Sequence, residues 1–130
     1  MTTQHGQVIP GAVGPGGGYV HSYEVAGPAR LLHISGQIPV RADGSVPEGF
    51  DAQCRQVWAN VEAVLATSGM GLSHLVKVTT FLSRREDRDV NSAIRRELLG
   101  THEPALTVII AGIYDEAWLL EIEAIAAAPR

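Results

Sequence analysis

Hydrophobic and polar positions along the 130 residues change period several times, and each change predicts an element. The opening stretch is turn-rich: Gly11, Gly14, Pro15 and Gly16–Gly18 crowd ahead of Tyr19 and favour irregular backbone. Tyr19–Val25 and Arg30–Ser35 then read as strands joined by a Gly27-Pro28 turn. After a loop with an Asp43-Gly44 turn, Cys54, Val57, Trp58, Val61, Val64 and Leu65 recur at three- and four-residue spacing. That is one face of an amphipathic helix, closed by Ser68-Gly69. His74–Leu82 is rich in β-branched residues and reads as a strand. Asp87 or Asp89 is positioned to cap a second helix, with Val90, Ala93, Ile94 and Leu98 inward and Gly100 at its end. Ala105–Ile113 and Trp118–Ala127 supply two last strands. The predicted order is β-β-α-β-α-β-β, an α+β sandwich with two helices on one face, in a single domain over residues 1–130.

A count of surfaces adds an expectation about assembly. The last two strands are apolar on both faces: Leu106, Val108 and Ile110 on one side, Thr107, Ile109 and Ala111 on the other. Such strands need cover on both sides, yet two helices blanket only one face of a five- or six-stranded sheet. Either loops cover the second face poorly or other copies of the chain do, and an obligate oligomer is the expectation.

Composition narrows the function classes. With 45% hydrophobic and 18% charged residues and a net charge of -4, the chain is neither disordered nor fibrous. Ten basic residues against fourteen acidic ones, with Lys77 the single lysine, argue against nucleic acid as a partner. A lone Cys54 excludes a disulfide-stapled scaffold and fits a reducing cytoplasm. The start carries no basic-then-apolar targeting pattern, and the longest apolar stretches are too short to span a bilayer. No His, Asp, Glu and Cys set has metal-ligand spacing, so neither metal nor cofactor is expected.

Few side chains stand out for chemistry. Glu121 and Glu123 lie two apart on a predicted strand, hence on one face, inside an otherwise apolar run where an unpartnered carboxylate is costly. A rim position or an ion pair to a neighbouring chain explains Glu121 equally well, and Glu123 better than a functional role does. His102-Glu103 is an acid–base pair by type, though a solvated loop accounts for it more simply. The Gly14–Gly18 run has no helix directly after it, which weakens a phosphate-cradle reading.

The stretch Leu31-Leu32-His33-Ile34-Ser35-Gly36-Gln37-Ile38-Pro39 resembles the leucine-leucine-x-x-serine-glycine-glutamine-x-proline signature of the RidA (reactive intermediate deaminase) family. Ala52-Gln53, Gln56, Asn60, Val64-Leu65 and Gly69 stand where that family's first helix has recurrent residues. Val76–Leu82, Val90-Asn91 and Glu121–Ala126 extend the similarity over most of the chain. The resemblance implies a chorismate-mutase-like sandwich, a homotrimer with a barrel core, and small-metabolite clefts between subunits. It also implies hydrolysis of enamines and imines to a 2-keto acid and ammonia. On this resemblance Glu121 is the catalytic carboxylate that orients water, and Tyr19, Ser35, Gly36, Asn91 and Val108 surround the substrate.

One position departs from the family pattern. Where deaminating members have proline-alanine-arginine, this chain has Pro104-Ala105-Leu106. An arginine there fixes a substrate carboxylate, and losing charged hydrogen bonds of roughly 1.5–3 kcal/mol each weakens binding by orders of magnitude. Leu106 thus implies an altered substrate, unless Arg30, Arg41, Arg95, Arg96 or His102 compensates. Two readings stay open: an enamine or imine hydrolase of changed specificity, and a non-catalytic trimer that binds a small metabolite. A ribonuclease role, attached to older names in the family, fits poorly with the acidic balance.

Overall fold

The computed structural model describes residues 3–7 and 17–130. Six strands and two helices follow in the order β1 (Thr3–Gln7), β2 (Ser22–Ala26), β3 (Ala29–Gln37), α1 (Phe50–Ala66), β4 (Leu75–Leu82), α2 (Arg88–Leu99), β5 (Ala105–Ile110) and β6 (Leu120–Pro129). The α+β layout matches the expectation, with two differences in strand arrangement. The main sheet has four strands in the order β3-β6-β4-β5 rather than five or six. The strand expected over Tyr19–Val25 starts later and pairs antiparallel with the unforeseen β1 in a separate ribbon. Val20 forms only an isolated parallel bridge to Ala105.

In the main sheet β6 is central, antiparallel to both β3 and β4, while β5 runs parallel to β4 at the edge. The parallel pair follows from α2, the crossover helix that carries the chain back to start β5 in the same direction. Alternation along β6 sorts the faces: Leu120, Ile122, Ala124, Ala126 and Ala128 are buried toward the helices. They meet Cys54, Val57, Trp58, Val61 and Leu65 of α1, and Ile94 and Leu99 of α2, in one core. Cys54 is fully buried there, and burial pushes its thiol pKa up to about 12, so it is inert packing.

Neither helix covers the second face of the sheet, although Ala127 on that face is buried. Leu31 is 59% exposed and Ile109 44%. Both chain helices lie on the opposite side, as the surface count anticipated.

Two details of α2 differ from the periodic reading. Val90 and Ala93 are exposed, and Asn91 and Arg95 are buried in their place. Asp87 sits at the helix start with no capping bond. Its carboxylate instead accepts two bonds from Arg84, at 2.8 Å and 3.0 Å. Gly100 ends the helix at φ 61°, as expected of a terminal glycine.

Candidate functional site

The residues expected at the site divide into two groups on opposite faces of the sheet. The register pairs Leu106 with Val78 and Val108 with Thr80, both buried toward the helices. Leu106, Val108 and Ile110 therefore face α2. Between β5 and α2 lies an open groove of about 430 Å³, lined by Tyr19, Asn91, Leu106 and Val108 together with Leu82 and Ile110. Four of the expected residues thus share one cavity. Its apolar wall is β5, where Val108 is 37% and Ile110 39% exposed.

The α2 side of the groove is cationic. Arg85, Arg88, Arg95 and Arg96 all line it, against the single carboxylate of Asp89. Arg95 is buried to 3% exposure. Its Nη2 donates to the Gly17 carbonyl at 3.3 Å and to Ser92 Oγ at 3.2 Å. Its Nε is buried without a partner among the described residues. Burial, and then the neighbouring Arg96 guanidinium, lower its pKa. Arg96 lies so close over Gly17 and Gly18 that a Cβ on either would overlap it. The remaining glycines of that run, Gly14 and Gly16, fall outside the described residues.

Ser35, Gly36 and Glu121 form the second group. Ile34 pairs with Ala124 and Gln37 with Ile122, so Ser35 and Gly36 together oppose Glu123 in a β-bulge. A bulge re-aims side chains and often adjoins a functional position. Here it brings Glu121 across Gly36, leaving no room for a Cβ between that glycine and Glu121 Oε2. Gly36 is therefore needed for space, not for an unusual φ. Glu121 is partly buried and receives no hydrogen bond or ion pair from the described residues. Glu123 is exposed on the same face, beside Lys77.

Comparison with known proteins places this arrangement. Residues 11–128 match the family model described as Endoribonuclease L-PSP. The chain belongs to the L-PSP/Rid family. A RutC family protein of Haemophilus influenzae is 35% identical over 133 residues, covering 97% of this chain and 98% of the relative. TdcF of Escherichia coli K12, whose name includes the phrase "reactive intermediate deaminase", is 28% identical over 92% of each chain. A Rid-family crystal structure from Yersinia pestis, named YyfB and of unknown function, superposes with a TM-score of 0.82 at 29% identity. It covers 94% of this chain and 98% of its own.

Three polar residues of α1 singled out by the resemblance act as loop clamps. Gln53 donates to the carbonyls of Pro47 (3.1 Å) and Ala117 (3.0 Å) and accepts from the Leu119 amide (2.8 Å). Asn60 donates to the carbonyls of Ile38 (2.9 Å) and Val40 (3.1 Å), with Gln56 donating to its Oδ1 at 2.9 Å. These bonds fix the segments flanking the Ser35-Gly36 bulge and leading into Glu121. His102 is elsewhere: its Nε2 lies 2.6 Å from the Leu75 carbonyl, and it lines a neighbouring cavity with Arg96 rather than the Leu106 groove. Of the arginines left open by the sequence, Arg95 and Arg96 reach the groove, whereas Arg30 bonds to the Ser68 carbonyl and Arg41 to Ser45. Arg85 and Arg88 were not anticipated; their mixed-charge stretch gave no sign beyond that of a solvated turn.

Proposed function

We propose that the chain is an enamine and imine hydrolase of the Rid type, acting on an altered substrate in clefts shared between copies of a homotrimer. The observation that carries this is the division of the site. Glu121, Ser35 and Gly36 lie on the open sheet face, while Tyr19, Asn91, Leu106 and Val108 lie in the groove on the other side. One sheet separates them, so no small ligand touches both sets in one protomer. If the open face of one protomer packs beside the groove of the next, the sets converge and the uncovered apolar face is buried as well.

The chemistry then follows from the residues. An enamine first tautomerises to the imine. Glu121 takes a proton from a water as its oxygen bonds to the imine carbon, and the C=N π electrons move to nitrogen. Glu121 returns that proton to the nitrogen, giving the neutral carbinolamine. It then takes the hydroxyl proton as the C=O bond forms and the C–N bond breaks, and passes it to the departing nitrogen, which leaves as ammonia. Leu106 removes the family's grip on the carboxylate from the β5 side, so the smallest imines are poor substrates.

The test is ammonia release from imines formed in situ by an amino acid oxidase. An accelerated rate on bulky apolar imines, absent in Glu121→Gln, supports hydrolysis. Little acceleration is expected with 2-aminoacrylate. Binding of 2-keto acids without any rate on imines would replace this reading with the metabolite-binding one.

A further inference from the structure

The α2 wall of the groove holds a buried charge that no described residue answers. Among the described residues Arg95 forms no ion pair; two neutral acceptors, the Gly17 carbonyl and Ser92 Oγ, share its Nη2, and its Nε has no partner. Taking a guanidinium out of water without a counter-charge is strongly unfavourable. The surroundings sharpen the deficit, since Arg85, Arg88 and Arg96 line the same cavity. Asp89 is the one carboxylate there, and its 3.9 Å approach to Arg88 is between two exposed side chains. By contrast, Arg84 just outside the groove is matched by Asp87, and Arg55 on α1 by Asp51 and Glu97. Among the described residues Arg85, Arg95 and Arg96 thus have no ion pair at the cavity, while Arg84 and Arg55 nearby are paired.

The opposite wall is apolar, formed by Leu82, Leu106, Val108 and Ile110. A cavity of this size accommodates a small metabolite, and its two walls ask for an amphiphilic one.

We propose that Arg95 anchors an anion subsite: the carboxylate of a 2-imino or 2-keto acid lies against α2, and its apolar side chain lies on Leu106, Val108 and Ile110. This rests on the hydrolase reading for the class of molecule, but the subsite itself is a matter of binding. The charge that an arginine at position 106 would offer from β5 is supplied here from the helix. The vacated β5 position then becomes a surface that selects branched or aromatic side chains.

Isothermal titration calorimetry on the full chain tests it, with 4-methyl-2-oxopentanoate, its neutral methyl ester and pyruvate as probes. The acid is expected to bind about tenfold or more tighter than the ester, because a charged hydrogen bond is lost with the charge. It is also expected to bind several-fold tighter than pyruvate, which lacks the apolar side chain. Arg95→Gln should abolish the preference for acid over ester, and Arg95→Lys should keep part of it. Equal affinity for acid and ester overturns the proposal, as does acid preference surviving in folded Arg95→Gln. Should that variant fail to fold, the acid–ester comparison on the unmodified protein decides alone. Anion-selective binding with no ammonia release would sink the hydrolase reading and leave the subsite standing. Ammonia release with KM unchanged in Arg95→Gln would do the reverse.

Discussion

Gly36→Ala separates packing from chemistry in a way few substitutions here do. The Gly36 backbone is one that any residue adopts, since its φ is not positive. The added methyl therefore acts through space alone. It would land on Glu121 Oε2, and ordinary contact needs 3.4 Å or more, so the carboxylate must swing away. The group displaced is the end of a flexible side chain, whose rearrangement costs on the order of 1 kcal/mol. Thermal unfolding should therefore shift by no more than a few degrees. Activity is another matter, because misplacing a catalytic group by about 1 Å costs roughly 100-fold. Ammonia release from in situ imines should fall by about that factor in kcat, close to the loss in Glu121→Gln, with KM little changed. A folded Gly36→Ala protein with unaltered kcat would refute the role given to Glu121. A drop in Tm of ten degrees or so, roughly 2 kcal/mol or more, would refute the account of why Gly36 is glycine.

Other expectations follow from the same coordinates. The Cys54 thiol is raised from 9.0 to about 12 by burial, so the folded state holds its proton longer than the unfolded chain. Stability from this source is complete below pH about 9 and declines as pH rises toward 12, a loss that Cys54→Ala should flatten in Tm-against-pH measurements. Gln53→Ala leaves three backbone groups without partners. It should lower unfolding free energy by about 3 kcal/mol in urea titration. Ile109→Glu, at a position 44% exposed in the lone protomer, would be nearly neutral for a monomer. Light scattering should instead show it dissociating the assembly.

How much of this was readable from sequence depends on how much of each element's environment is periodic. The α1 helix came through because its buried positions, Cys54, Val57, Trp58, Val61 and Leu65, are apolar at regular spacing, and β4 through its β-branched run of Val76, Val78, Thr79 and Thr80. The β1 strand had no such signal, for Thr3–Gln7 carries no apolar alternation and is held by its pairing to β2. On α2 the periodic reading chose Val90 and Ala93, while the fold buries Asn91 and Arg95. That error falls on the groove itself, where a polar inward stripe replaces the apolar one. Local rules fail most readily where function asks for something else. Leu106 drew notice only through family resemblance, since a strand-opening leucine is unremarkable by pattern, whereas Glu121 stood out as a carboxylate in an apolar run and the resemblance gave it a role. The gathering of Arg85, Arg88, Arg95 and Arg96 required the three-dimensional path of α2 across β5. Their spacing in sequence resembles any solvated helix face.

The sharing of one site between copies is tested most directly by mixing two disabled variants. Glu121→Gln spoils the open sheet face, and Leu106→Glu places a repelling carboxylate in the groove. Unfolded together and refolded as mixed oligomers, the pair should recover roughly a quarter of wild-type ammonia release, because random assembly joins an intact face to an intact groove at that frequency. Activity no greater than that of the separate variants, in assemblies verified to be mixed, would contradict a site built from two protomers.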